Sequence, residues 1–195
     1  MKIPWLSGLA ACALLCADLA DAAKCRLLTP SSSSSAAAAE SSGPSQPDCY
    51  TKYISNRYFA NNEAWTFGGD ASPSTDCGTI FSTCAQLTAD SGPASVSQSF
   101  DTVPGFTYRA SLAYMYTVQP ATDADKITCK VTSGSNTVLM YALPYLSLND
   151  FRGAGFDFVP TTKKSTLTCT LTSTASGTVH LTQMAVNWDS DTCGG

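Results

Sequence analysis

The feature that most constrains the fold is a series of short segments in which apolar and polar residues alternate. Residues 49–195 are rich in Thr, Val, Tyr, Phe and Leu, in runs separated by Gly, Pro, Asn and Asp. Such alternation places apolar side chains on one face of a β-strand, and no window keeps a helical period beyond two turns. We predict strands near 52–56, 64–68, 95–102, 107–118, 126–133, 137–143, 154–159, 165–174 and 178–187. The absence of crossover helices predicts an all-β, antiparallel β-sandwich or jelly roll.

The run 107–118 carries three tyrosines that could form either a ligand platform or the inside of a sheet. One face of this strand carries Tyr108, Ala110, Leu112, Tyr114, Tyr116 and Val118, and the other carries Arg109, Ser111, Ala113, Met115 and Thr117. The tyrosines share their face with the aliphatic residues, whereas the opposite face is the more polar one. We therefore predict that the tyrosines belong to the core.

The N-terminal residues predict export from the cell. A lysine precedes an apolar run over residues 3–17, and Ala20-Asp21-Ala22 follows it. The run is too short for a membrane span and resembles a secretory signal peptide over residues 1–22. We expect a secreted, extracellular protein with no membrane span.

Residues 23–48 form a Ser/Ala/Pro-rich linker in this interpretation, because they offer too little apolar surface to offset the entropy of ordering. The folded domain then covers residues 49–195. The formal net charge is −4, and no basic cluster exceeds Lys163-Lys164. Binding of nucleic acid needs several clustered cations, so we expect no nucleic-acid partner. We also expect the protein to be a monomer.

Nine cysteines are present, and Cys12 and Cys16 lie in the signal peptide. Disulfides are favoured over metal ligands, because no C-x-x-C or His-rich spacing occurs. Short spacing favours the pair Cys77–Cys84, and shared inward parity favours Cys129–Cys169. Placement at the two ends of the domain favours Cys49–Cys193. These preferred pairs leave Cys25 without a partner. Other connectivities stay open.

In the last predicted strand, the apolar residues switch from odd-numbered to even-numbered positions. Val179 and Leu181 share one face, but the apolar residues that follow are Met184, Val186 and Trp188. One extra unpaired residue restores the alternation. We predict a β-bulge near Thr182-Gln183.

The residues needed for catalysis are sparse. His180 is the sole histidine, and its neighbours Val179 and Leu181 predict that it points outward. Neither G-x-S-x-G nor H-E-x-x-H occurs. The carboxylates outside the signal peptide include Glu40 and Glu63, and the Asp pairs Asp123/Asp125 and Asp189/Asp191 lie in polar, turn-like segments. We predict that the protein is not an enzyme.

Four stretches resemble one known family. They are "AWTFGGDA" (64–71), "ASVSQSFDTVPGFTYRASLAY" (94–114), "FRGAGFDFVPTTKKSTLTCTLTS" (151–173) and "TVHLTQMAV" (178–186). Together they are similar to the CenC-type carbohydrate-binding modules, which have a galactose-binding-like jelly roll and are common in secreted fungal proteins. The resemblance implies a non-catalytic module that binds a cell-wall or plant polysaccharide.

The family often holds a structural calcium, for which this sequence lacks the acids. The stretch that is Asn-Gly-x-Phe-Glu-like in the family is here Asn56 to Ala60, and the acidic positions of its last strand fall on Thr182 and Gln183. Calcium prefers several carboxylate oxygens. We therefore assign no cofactor and no metal ligand, with structural calcium as the alternative.

A sugar site needs exposed planar rings beside polar groups. The candidate rings outside the clear core parity are Trp65, Tyr141, Tyr145 and Phe151. Two alternatives stay open: Trp65 as a core anchor, and Tyr145 as part of an ordinary loop. Two other functions stay open: a structural or interaction protein of the cell surface that keeps the jelly roll without a sugar site, and a small hydrolase with a carboxylate pair on its loops.

Overall fold

The computed structural model describes residues 53–122, 125–172 and 177–188. The predicted signal peptide over 1–22, the linker over 23–48, Cys25 and the pair Cys49–Cys193 all lie outside these residues. The described residues belong to one unit, Ser41–Gly195. Within these ranges, no helix is long and apolar enough to cross a bilayer.

The described residues contain ten strands in two antiparallel five-stranded sheets. In chain order they are β1 Thr66–Gly68, β2 Asp70–Ser74, β3 Cys84–Thr88, β4 Ala94–Asp101, β5 Tyr108–Tyr116, β6 Ile127–Ser133, β7 Asn136–Ala142, β8 Arg152–Phe158, β9 Lys164–Leu171 and β10 Thr178–Trp188. Sheet A has the order β1-β4-β9-β6-β7, and sheet B has the order β2-β3-β10-β5-β8. The predicted all-β, antiparallel sandwich is confirmed.

Eight of the strands were predicted from alternation and two were not. The predicted segments from 64–68 onward match β1 and β4 to β10 to within a few residues. The unpredicted β2 and β3 are only five residues long, and β2 (Asp-Ala-Ser-Pro-Ser) lacks apolar alternation. The strand predicted at 52–56 is wrong for its described part, because residues 53–56 form no strand.

The tyrosines of β5 lie in the core between the sheets, as predicted. Tyr108, Tyr114 and Tyr116 are all buried, whereas Val118 lies beyond the end of β5 and is exposed. The hydroxyl of Tyr116 donates to the Leu143 carbonyl and accepts from the Ile127 amide, both at 3.0 Å. Burial raises the pKa of Tyr116 to about 12. This hydroxyl therefore satisfies two backbone groups inside the core.

Two of the predicted disulfides are confirmed. Cys129 and Cys169 face each other on the neighbouring strands β6 and β9, with their Cα atoms 4.0 Å apart. Cys77–Cys84 closes the connection between β2 and β3. We call residues 75–83 the covering loop.

The predicted β-bulge in β10 is also confirmed. The pairing of β10 with β5 is regular up to Thr182 and resumes at Ala185 with a shifted register. Gln183 has a φ of 53°, in the left-handed region. The amide of Met184 donates instead to the Arg57 carbonyl at 3.0 Å. The bulge thus joins β10 to the segment that precedes β1.

Candidate functional site

The covering loop crosses part of the outer face of sheet B, the face turned away from sheet A. The Thr182 hydroxyl on β10 donates to the Thr83 carbonyl at 3.1 Å. The ring of Phe81 contacts the ring of Phe151, just before β8, with 4.7 Å between centroids. Because β10 and β5 separate β3 from β8 in the sheet, the loop must extend over both of them. It leaves the other half of this face open.

His180 lies on the half of the outer face that the covering loop crosses. Its predicted outward direction is correct, but the side chain is only 6% exposed. Its Nδ1 has no hydrogen-bond partner among the residues that the structure describes. Burial lowers the pKa of His180, and the charge of Asp76 on the loop opposes this effect. Alternation along a strand gives the direction of a side chain, but it cannot reveal that a loop folds over the outer face.

Because His180 is buried, we expect the protein to be less stable in mild acid than at neutral pH. Because its folded pKa lies below the usual 6.5, the unfolded chain takes up a proton at a higher pH than the folded protein does. The free energy of unfolding should therefore fall as the pH drops from 6.5 to the folded pKa. Urea unfolding at about pH 7.5 and about pH 5 should show a smaller difference for His180→Gln than for the native chain. An equal difference in the two proteins would contradict this assignment.

The open half of the outer face of sheet B is a groove of about 410 Å³. Its lining residues come from β5, β8, β10 and the segment before β1: Arg57, Arg109, Ser111, Leu112, Gly153, Ala154, Gly155 and Gln183. A smaller cavity of about 140 Å³ shares Arg57 and Ser111 with it. The groove exists because Gly153 and Gly155 present no side chains at outward positions of β8. Nothing lies within 4 Å of the position that a Cβ on Gly153 would take.

Arg109 lies flat against the glycine strand. Its Nη1 is 3.2 Å from Oδ1 of Asp157, the next outward residue of β8 after Gly155. A Cβ on Gly155 would stand 3.2 Å from Nη2 and 3.3 Å from Nε of Arg109. This spacing is tight enough to displace the guanidinium. Gly155 therefore leaves the room that lets Asp157 hold Arg109 along the groove.

Arg57 approaches the groove from the segment before β1. Its carbonyl is fixed by the Met184 amide, and its guanidinium lies 5.0 Å from the ring centroid of Tyr58, which is 43% exposed. In the part of the chain that the structure describes, Arg57 has no ion pair, and its buried Nε has no acceptor. Arg57 also lines the groove, so its unpaired charge is available to a ligand there.

Gln183 enters the groove because of the bulge. A left-handed φ is unfavourable for a residue with a Cβ, and bulges redirect side chains beside functional sites. Gln183 adds an amide to the two guanidinium groups, so the groove presents several hydrogen-bond donors and an acceptor.

The four rings chosen from the sequence do not come together. The indole of Trp65 is 5% exposed, packs against Phe59 at 4.7 Å and donates to the Asn56 carbonyl at 3.0 Å. Trp65 is therefore the core anchor and not an exposed ring, because the segment before β1 closes over it.

The remaining three rings are half-buried. Tyr141 points inward from β7, because its partner Cys129 does, and it stacks on Phe156 at 5.3 Å. Tyr145 packs against Tyr116 at 5.9 Å. Phe151 lies two residues before Gly153 in sequence, and its ring packs against Phe81 of the covering loop. The sequence patterns did not identify Arg57, Arg109 or the β8 glycines as site residues. Two features of the sequence point to this face: the polar face of β5 and the Gly-x-Gly of β8.

The residues at the family's calcium position do not fit a calcium ion. Thr182 is buried and its hydroxyl is used by Thr83, while the Arg57 carbonyl is used by Met184. No carboxylate stands at these positions. Across residues 53–122, 125–172 and 177–188, no group of three or more His, Cys, Asp or Glu side chains could hold a metal.

No protein-family model matches this chain, and no curated protein matches it. Solved structures do. A family 61 carbohydrate-binding module in complex with β-1,4-galactotriose has a TM-score of 0.54 at 14% identity, covering 71% of this chain and 99% of that one. A family 16 carbohydrate-binding module has a TM-score of 0.56 at 13% identity, covering 69% and 98%.

A third similar structure is a much longer protein. The enzymatically active domain of tailspike protein 4 of bacteriophage CBA120 has a TM-score of 0.56 at 18% identity, covering 73% of this chain. This chain spans only 22% of the tailspike chain. At these identities the likeness concerns the fold alone. The chain thus has the jelly-roll β-sandwich found in carbohydrate-binding modules.

Proposed function

We propose that this protein binds a carbohydrate, without catalysis, in the groove on the outer face of sheet B. One observation carries the proposal: Gly153 and Gly155 open a groove in an otherwise side-chain-bearing face, and Arg57, Arg109 and Gln183 converge on it. Sugar hydroxyls need donors and acceptors along a shallow surface, and this groove supplies both.

The shape of the groove favours a chain of sugars over a single ring. The two adjoining cavities share Arg57 and Ser111, so together they extend along the face. The exposed ring of Tyr58 beside Arg57 offers a surface for the apolar face of a sugar. The likeness to a module solved with β-1,4-galactotriose supports the same class of ligand. The polysaccharide we propose is one of a cell wall or a plant.

The composition of the groove supports binding without chemistry. Glycoside hydrolysis uses two carboxyl groups that flank the scissile bond. Among the described residues, the residues that line the groove include no carboxylate, and the nearby Asp157 is paired with Arg109.

Secretion, fungal origin and the CenC type are part of the same proposal. Their support is the signal-like N-terminus, the family resemblance of the four stretches quoted above, and two disulfides, which persist in oxidising compartments.

The proposal predicts that filling the groove weakens binding. Gly153→Phe should weaken binding about tenfold or more, because the new ring has open space above the floor and occupies the sugar position. Gln183→Gly should also weaken binding, while relieving the positive φ at the bulge. Calorimetric titration of the mature protein with soluble β-glucan, xylan, galactan and chitin fragments would measure these effects.

The matched control is Met140→Phe, which adds the same ring to an exposed position of β7 in sheet A. It should bind as the native protein does. Equal binding by Gly153→Phe would place the site elsewhere. A folded native protein that binds none of the glycans would favour the structural or interaction protein of the cell surface.

A further inference from the structure

The charge of the groove sets it apart from the rest of the protein. The chain has a formal net charge of −4, yet the ionisable residues that line the groove are two arginines. Asp157 neutralises Arg109 at 3.2 Å. Arg57 has no such partner within the described ranges, so the groove retains a positive charge on an acidic protein.

The guanidinium of Arg57 indicates which chemical group the ligand carries. Arg57 lines the groove with no ion pair among the described residues, and a guanidinium hydrogen-bonds best to a planar, two-oxygen anion. Its backbone is fixed at the bulge by the hydrogen bond from Met184, so the side chain is anchored where the groove begins. A neutral sugar hydroxyl can accept one hydrogen bond, but it leaves the charge uncompensated.

We infer that the glycan bound in this groove carries carboxylates, as in a polysaccharide that contains uronic acids, and that Arg57 binds one of them. This inference rests on the proposed function and narrows its ligand class. The overall negative charge repels polyanions from the rest of the surface, so affinity for an acidic glycan must come from a local contact. Arg109 remains in its ion pair with Asp157 and positions the neighbouring sugar.

The experiment compares an acidic glycan with its own neutral form. Oligogalacturonate and the same oligomer after carboxyl reduction have identical linkages and differ in the carboxylate alone. Titrated into the native protein at low salt, the acidic form should bind about tenfold more tightly, and the preference should shrink as salt is added. The preference should disappear in Arg57→Gln and be partly retained in Arg57→Lys, which keeps the charge but loses the two-pronged geometry.

The matched control is Arg152→Gln, which removes the same charge from the rim of β8, where Arg152 is paired with Asp150 at 2.6 Å. It should keep the preference. The unfolding midpoint of each variant checks that the fold is intact, as expected for Arg57, whose structural hydrogen bond uses its backbone.

The other outcomes separate this inference from the proposed function. Equal binding of the acidic and reduced oligomers would overturn the inference and leave carbohydrate binding in place. Binding of neither oligomer, nor of any neutral glycan, would overturn both. Binding of poly-L-glutamate as tight as that of the uronate would show that the groove recognises carboxylates without recognising a sugar, and would also overturn the inference.

Discussion

Trp65→Ala should lower the free energy of unfolding by about 3–5 kcal/mol, the range for removing a large buried aromatic side chain. The indole is almost fully buried, lies against Phe59 and donates to the Asn56 carbonyl. Its loss leaves a cavity and removes one of the two hydrogen bonds that the Asn56 carbonyl accepts, the other coming from the Phe59 amide at 3.0 Å. Urea unfolding followed by circular dichroism would measure the change.

Trp65→Phe is the control that separates packing from hydrogen bonding. It keeps most of the ring, so its loss should be smaller by about half. The lost indole hydrogen bond should account for about 1 kcal/mol, because the Asn56 carbonyl still accepts from the Phe59 amide. If Trp65→Ala unfolds at the same urea concentration as the native protein, Trp65 is not a core residue and returns as a candidate ring of the sugar site.

Removing the disulfide between β6 and β9 should have an effect of similar size. Cys129 and Cys169 are 40 residues apart in sequence, and both are fully buried. The double variant Cys129→Ala/Cys169→Ala should lose about 4 kcal/mol in the chain-entropy model, because the unfolded chain regains the freedom of a long loop. Thermal and urea unfolding would both detect it.

The Cys77–Cys84 bridge is the matched comparison, since it spans only seven residues. Its double alanine variant should lose less, about 2–3 kcal/mol in the same model. The order of the two losses is the test. A larger loss for the short loop would mean that the covering loop, with its contacts to Thr182 and Phe151, contributes more stability than the closure entropy of the long loop.

Several features of this fold follow from local patterns in the sequence. The period of two in 107–118 assigned the tyrosines to the core, and the parity slip after Leu181 located the bulge at Gln183. Shared inward parity paired Cys129 with Cys169. Each is a property of one or two strands, and side chains alternate along a strand whatever surrounds it.

The candidate site was not predictable in the same way. The sequence allows Trp65 to be a candidate ring or a core anchor, and the tertiary structure buries it, because the segment before β1 folds over it. His180 points outward as expected, yet the covering loop buries it. Arg57 and the β8 glycines are about 100 residues apart in sequence, and no local pattern connects them.

The sequence by itself determined eight of the ten described strands, which face of each of these is apolar, the bulge and two disulfides. It did so because hydrophobic burial acts on the alternation that the chain already carries. Only the tertiary structure decided which outer face is covered, which is open, and that Arg57, Arg109 and Gln183 meet above Gly153 and Gly155. Those contacts depend on how loops and strands distant in sequence cross the sheet, and this arrangement is set by packing of the whole domain and not by any single segment.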